Sequence, residues 1–183
     1  MKLFKSSDPN TFHYITIVTF SRVPIFRSDV ACSLFIETLA EIRLLHPFKL
    51  IGYVIMPDHV HFIVNPQAPE ISVILRKIKG KSARRILDWL IAAGHKTSLN
   101  KLKLAVKERQ YAVWQKDSSA IDLFSPKFLQ QKLNYIHMNP VRGELCEEPK
   151  DWQWSSYQAY FPKAAKNVPI DIDLNPYWKL ESL

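Results

Sequence analysis

Met56-Pro57-Asp58-His59-Val60-His61-Phe62-Ile63-Val64 is the stretch from which the fold can be read outward. Pro57-Asp58 is a turn dipeptide between two apolar runs, so Phe48 to Met56 and His59 to Asn65 are expected to form the arms of a β-hairpin. Side chains alternate along a strand, which places His59 and His61 on one face and Val60 and Phe62 on the other. Two imidazoles held two residues apart on a rigid strand suit a divalent metal. The same spacing also describes two solvent-exposed or hydrogen-bonded neighbours, so the pair needs a third partner before it defines a site.

Upstream of the hairpin, Phe12 to Phe20 is β-branched and aromatic and reads as a first strand, with His13 a hydrogen-bonded or surface residue within it. Ser28 is placed as an N-cap, and Ala31, Leu34, Phe35, Thr38, Leu39, Ile42 and Leu45 follow at helical spacing to a stop at Pro47. Downstream, Pro66 to Pro69 is a loop, and Ile74, Leu75, Ile78, Ile86 and Leu90 predict a second helix from Ile71 to about Gly94, weakened by Gly80. Its other side carries Arg76, Lys77, Lys79, Lys81, Arg84 and Arg85, either a solvated helix face or a set of phosphate contacts. His95 to Arg109 is lysine-rich and weakly patterned, which suggests a mobile connection. Tyr111 to Trp114 is the candidate fourth strand, and Gln115 to Phe124 looks irregular.

A further helix is announced by Ser125 and Pro126, an N-cap followed by proline at the first helical position. Leu129, Leu133 and Ile136 form its buried stripe, and Pro140 is expected to end it. Phe128, Lys132, Tyr135 and Asn139 share a neighbouring face. Tyr135 and Asn139 are four residues apart and project from the same side, whereas His137 points nearly opposite, which favours Asn139 over His137 as a site residue. Beyond this helix the chain is rich in aromatics, from Trp152 and Trp154 through Tyr157, Tyr160 and Phe161 to Tyr177 and Trp178, and these are expected to pack back over the core.

At 183 residues with 47% hydrophobic content, the chain can bury one substantial core but is short for two independent domains. The expectation is one domain over residues 1–160 and a tail over 161–183. The composition excludes a disordered chain, and the net charge of +8 draws in an anionic partner, nucleic acid first. No apolar run is long enough to span a bilayer and no secretory apolar region follows Met1, so a cytoplasmic protein without membrane association is expected. Cys32 and Cys146 have no metal-knuckle or disulfide-framework spacing and read as reduced structural thiols.

The His59–His61 segment, taken with Asn134-Tyr135-Ile136-His137-Met138-Asn139-Pro140-Val141-Arg142, resembles the one-tyrosine HUH transposases, within them the branch associated with repetitive extragenic palindromes (REP). Val113-Trp114-Gln115 and Asp151-Trp152-Gln153-Trp154-Ser155-Ser156-Tyr157 add to the likeness, which runs from the first strand to Tyr157. The resemblance implies a ferredoxin-like βαββαβ core with a central antiparallel sheet, followed by a helix bearing the tyrosine. It implies His59, His61 and Asn139 as ligands of Mg2+ or Mn2+, and Tyr135 as the nucleophile that joins covalently to DNA. The implied partners are single-stranded DNA with hairpin structure and a second copy of the chain. The order Arg142-Gly143-Glu144 departs from the Ala-Gly order usual in relatives at the helix exit. Two other functions fit parts of the sequence. One is a DNA-hairpin-binding protein that no longer cuts; the other is an RNA-binding ferredoxin-like module, for which Tyr14 and Phe62 supply few strand aromatics.

Overall fold

The computed structural model describes residues 11–66, 71–104, 110–161 and 168–174. Its elements follow in the order β1 (Phe12–Val18), α1 (Asp29–Leu45), β2 (Phe48–Met56), β3 (His59–Pro66), α2 (Ile71–Ala92), α3 (Lys96–Leu102), β4 (Ser119–Leu123), α4 (Pro126–Arg142) and the single turn α5 (Tyr157–Tyr160). The strands form one antiparallel sheet in the order β2-β3-β1-β4. With α1 and α2 as the two crossovers, this is the expected ferredoxin-like arrangement, to which α3 and α4 are added.

The two faces of the sheet bury different things. Ile15, Ile17, Tyr53, Ile55, Val60 and Phe62 turn to one side and pack against α1 and α2. Tyr14, Val54, Met56 and Ile63 turn to the other and meet Leu129, Leu133 and Ile136 of α4. The period-two alternation of β1 and β3 therefore sends apolar residues to the α1/α2 face, and His59 and His61 to the α4 face. Along β2 the register shifts between Leu50 and Gly52. Just past that irregularity, at Gly52, α4 comes so near the backbone that a Cβ would lie 2.4 Å from Leu133 Cδ1.

Four expectations about the elements need correction. The fourth strand is Ser119–Leu123, not Tyr111–Trp114. Trp114 instead plugs the core, its ring 5.5 Å from Phe26 and 5.8 Å from Phe35, with Nε1–H donating to Ser82 Oγ at 3.0 Å. Aromatic content there serves packing rather than pairing, and Thr19 and Tyr111 keep only single bridges, to Trp114 and Lys103 respectively. Within the expected mobile connection, Lys96–Leu102 is helical because buried Leu102 anchors it; residues 105–109 lie outside the described residues. The first strand stops at Val18, and Ser21 and Arg22, both at φ 52°, turn the chain away.

Pro140 lies within α4 instead of ending it. A proline lacks the N–H that would reach back one turn, yet the helix closes through Gly143 N–H to Asn139 O and Leu145 N–H to Pro140 O, both 2.9 Å. The left-handed residue after the helix is Glu144, at φ 55°, while Gly143 has an ordinary φ of −84°. Gly143 answers a different need, since a Cβ there would lie 3.2 Å from Met56 Cε.

The aromatic tail packs as expected, along the outer edge of β2. Ile55 N–H donates to Trp154 O, Ser156 N–H to Tyr53 O, Trp152 Nε1–H to Ile55 O and Tyr160 OH to Ile51 O. Farther along, Asp173 N–H donates to Leu50 O, and the Asp173 carboxylate accepts from Leu50 N–H and pairs with Arg43. The edge that would otherwise template another strand is covered. Tyr177 and Trp178 lie outside the described residues. No described helix is long and apolar enough to cross a membrane.

Candidate active site

The hairpin turn is fixed before it delivers its histidines. Pro57 O accepts from Phe26 N–H at 3.0 Å, and Asp58 O accepts from both the N–H and the hydroxyl of Thr19 at 2.9 Å. The Asp58 carboxylate then faces two donors, Arg22 Nη1 at 2.9 Å and His59 Nδ1 at 2.5 Å. Burial works to raise this carboxyl, but the hydrogen bonds from His59 and Arg22 outweigh it and hold Asp58 below the usual carboxylate range. The contact with Asp58 holds the His59 ring at Nδ1 and leaves Nε2 without a protein partner among the described residues.

His61 is oriented from β1. Thr16 lies opposite it in the ladder, and the Thr16 hydroxyl and the Tyr14 phenol each sit 2.8 Å from His61 Nδ1. The Tyr14 ring stacks on the imidazole at 5.4 Å with an interplanar angle of 20°. Burial holds His61 down at about 3, helped by the charges of His59 and Lys132 against a weaker opposing effect of Asp58. The imidazole is therefore neutral at ordinary pH. Burial likewise raises the Tyr14 phenol, which stays protonated.

The two histidine rings lie 4.7 Å apart, each gripped at Nδ1 and each with Nε2 in reserve. Imidazoles held at one nitrogen by a hydrogen bond, with the other nitrogen available, are the usual protein contribution to a divalent metal site, so this pair fits one. Among the described residues no group of three His, Cys, Asp or Glu converges to hold a metal. Asn139 is half-buried on α4, one turn beyond Tyr135, and its side chain is hydrogen-bonded to neither imidazole.

Tyr135 comes to the histidines of its own chain. Its ring is edge-on to His61 at 5.7 Å and to Tyr14 at 6.2 Å, and 39% of the residue is open to solvent. Two cations flank it: Lys132 Nζ is 5.7 Å and Arg142 Cζ 5.2 Å from the ring centroid. Two residues along the helix, His137 points the other way into the core, with Nε2 2.9 Å from Ser156 Oγ. As the helical spacing predicted, Tyr135 and His137 point to opposite sides of α4.

The basic cluster is not brought to this site. α2 packs on the opposite face of the sheet, where Lys79 binds Gln115 O, Lys116 O and Ser118 Oγ, and Lys81 and Arg85 pair with Glu41. Arg76, Lys77 and Arg84 are exposed there. Periodicity located a basic helix side but could not say which sheet face lay beneath it. His13, too, faces away, paired with Asp122 at 2.8 Å. The sequence reading missed Thr16 and Asp58 as partners of the histidines. The polar Tyr14 and Thr16 alternating with Ile15 and Ile17 were the available signal.

Comparison with known proteins agrees with this fold. Over 140 residues, 74% of this chain and 73% of the relative, the sequence is 27% identical to a Haemophilus influenzae protein assigned as a REP-associated tyrosine transposase. A REP-associated tyrosine transposase solved bound to a REP hairpin has a similar fold, with a TM-score of 0.65 over 96% of this chain and 94% of that one at 16% identity. Residues 9–117, more than half of the 183, match the IS200-like transposase family, a span that includes the histidine pair and stops short of α4. The chain belongs to the IS200-like transposase family.

Proposed function

We propose that this protein cuts and rejoins single-stranded DNA at hairpin sites, with Tyr135 as nucleophile and a divalent cation, Mg2+ or Mn2+, on His59, His61 and Asn139. The observation that supports this best is the Tyr135 ring set 5.7 Å from His61, on the sheet face to which both imidazoles turn. The hairpin bound to the structurally similar REP transposase supports the choice of DNA.

A bound cation would polarise the scissile phosphodiester and stabilise the charge that builds on it. The chain's own residues do the rest. Asp58, Tyr14 and Thr16 fix the imidazoles, so that little reorganisation accompanies binding. Tyr135 Oη attacks phosphorus as its proton leaves, while Lys132 and Arg142 favour negative charge beside the ring. The bond from phosphorus to the 3′-oxygen breaks and that oxygen takes up a proton, leaving a 5′-phosphotyrosine and a free 3′-hydroxyl. Attack by a 3′-hydroxyl on the phosphotyrosine reverses the step and rejoins strands. A second copy of the chain would bring two such sites to two ends.

The test is a denaturing gel of the protein with Mn2+ and labelled single-stranded hairpin oligonucleotides. A labelled band at protein mass, absent from Tyr135→Phe, is the expected result. Tight hairpin binding with no adduct would instead make the protein a non-cleaving hairpin binder.

A further inference from the structure

Of two phenylalanines that precede Tyr135, Phe124 lies open where a folded chain would ordinarily bury it, and Phe128 is partly buried against the core beneath α4. Phe124, in the residue pair between β4 and α4, is 86% exposed, and its ring lies 5.4 Å from that of Phe128 at 45°. Lys132 Nζ sits 5.5 Å from the Phe128 ring, 4.9 Å from Tyr14 and 5.7 Å from Tyr135. Phe128, Lys132 and Tyr135 step by four and three residues along α4, and Phe124, just before the helix, joins them through its ring contact with Phe128, so aromatic, aromatic, cation and tyrosine make one continuous stripe. From Phe128 to Tyr135 the rise is about 10 Å. We propose that Phe124 and Phe128 are a stacking platform for unpaired DNA bases flanking the phosphate that Tyr135 attacks. The proposal rests on the reading of Tyr135 given above.

The charge around the rings selects this occupant. α4 carries Lys127, Lys132 and Arg142 and no acidic residue. The nearby Asp122 is turned to the other sheet face and paired with His13. An apolar protein partner would have to bury the Lys132 ammonium, at a desolvation cost. A single strand meets both needs, because its bases present π-faces to the rings and its phosphates meet the cations. A duplex keeps its bases stacked on one another and gains nothing from the rings.

The test measures affinity by fluorescence anisotropy for a labelled single-stranded oligonucleotide and a duplex of the same sequence, using the full chain. Phe124→Ala should weaken single-strand binding about 5- to 150-fold and leave duplex binding unchanged, with Phe124→Trp restoring it. Phe124 is so exposed that its replacement leaves the core intact; Phe128→Ala should act in the same direction. Equal single-strand affinity for Phe124→Ala and the unaltered chain overturns the platform, as does an equal loss on duplex. A change in oligomeric state by sedimentation, with DNA affinity unchanged, would give the patch to a second copy and also overturn it. The adduct assay with the unaltered chain is independent. If no adduct forms but Phe124→Ala still loses single-strand affinity, the platform stands and the nucleophile falls.

Discussion

Gly52→Ala tests how α4 is seated, and with it the aim of Tyr135. The new Cβ would lie 2.4 Å from Leu133 Cδ1 and 3.2 Å from Ser156 Oγ. Carbon atoms settle at about 3.5–4.0 Å, so more than an ångström must be found. Neither neighbour yields easily. Leu133 is fully buried, and Ser156 Oγ is held by Tyr53 N–H and by His137 Nε2, each at 2.9 Å. Overpacking of this kind costs about 1–3 kcal/mol. For a chain of this size that lowers the thermal midpoint by about 2–12 °C. Lifting α4 also moves the phenol from His61, so the adduct rate should fall by more than the loss of folded protein explains. Leu133→Ala alone should cost about 2–5 kcal/mol. In the double variant the smaller side chain makes room for the Cβ, so the combined cost should fall at least about 1 kcal/mol below the sum. Urea unfolding of the four chains measures this cycle. An unchanged midpoint for Gly52→Ala, or strict additivity with Leu133→Ala, would refute the close seating of α4.

Burial holds His137 down at about 3, so between that value and the ordinary histidine value of about 6.5 the unfolded chain binds a proton that the folded chain does not. Its contribution to stability is complete above about pH 6.5 and is lost as pH falls toward 3; His137→Gln should flatten the pH dependence of the urea midpoint across that window, and an unchanged slope would count against it. Asp58→Ala removes the carboxylate that orients His59 while Thr19 still holds the turn through the Asp58 carbonyl. Mn2+ binding by calorimetry without DNA should weaken about 10- to 100-fold, and undiminished affinity would sink the proposed metal role of the pair.

How much of this was legible depended on whether the signal was local. The first arm of the hairpin was readable to the residue because Phe48 to Met56 is a run of strand formers ended by Pro57-Asp58, and β2 occupies that span, while β3 runs one residue past the expected Asn65 to include Pro66. The Ser125-Pro126 start of α4 was equally local, and Ser125 Oγ does accept from Phe128 N–H at 3.2 Å. β4 was missed because Ser-Ala-Ile-Asp-Leu is a short, half-exposed edge with little β signal of its own; pairing with β1 creates it. The lysine-rich α3 has the same cause, a tertiary anchor at Leu102. At the site, His59, His61 and Tyr135 could be placed by two periodicities, while the grip of Thr16 and Tyr14 on His61 needed the strand register. The basic face of α2 shows the converse limit: helical spacing gives a direction around the axis, never the side of the sheet on which that axis lies.

A segment expected to pack over the core also sets the aim of Tyr135. The Trp152 to Ser156 segment runs beside β2, bound through Trp154 O, Ser156 N–H and the Trp152 indole. That docking places the Ser156 hydroxyl beneath α4, where it meets His137, while the Tyr157 and Tyr160 rings close on the same imidazole at 5.4 and 5.5 Å. A helix gripped on one side cannot turn about its axis. Since each residue advances about 100° around that axis, a side chain two positions from His137 points nearly opposite it. The direction of Tyr135 is therefore decided by the buried residue it does not touch. A one-residue slip of α4 would both tear His137 from Ser156 and swing Tyr135 away from His61. The aromatic tail thus stabilises the fold and the aim of the tyrosine through the same contacts.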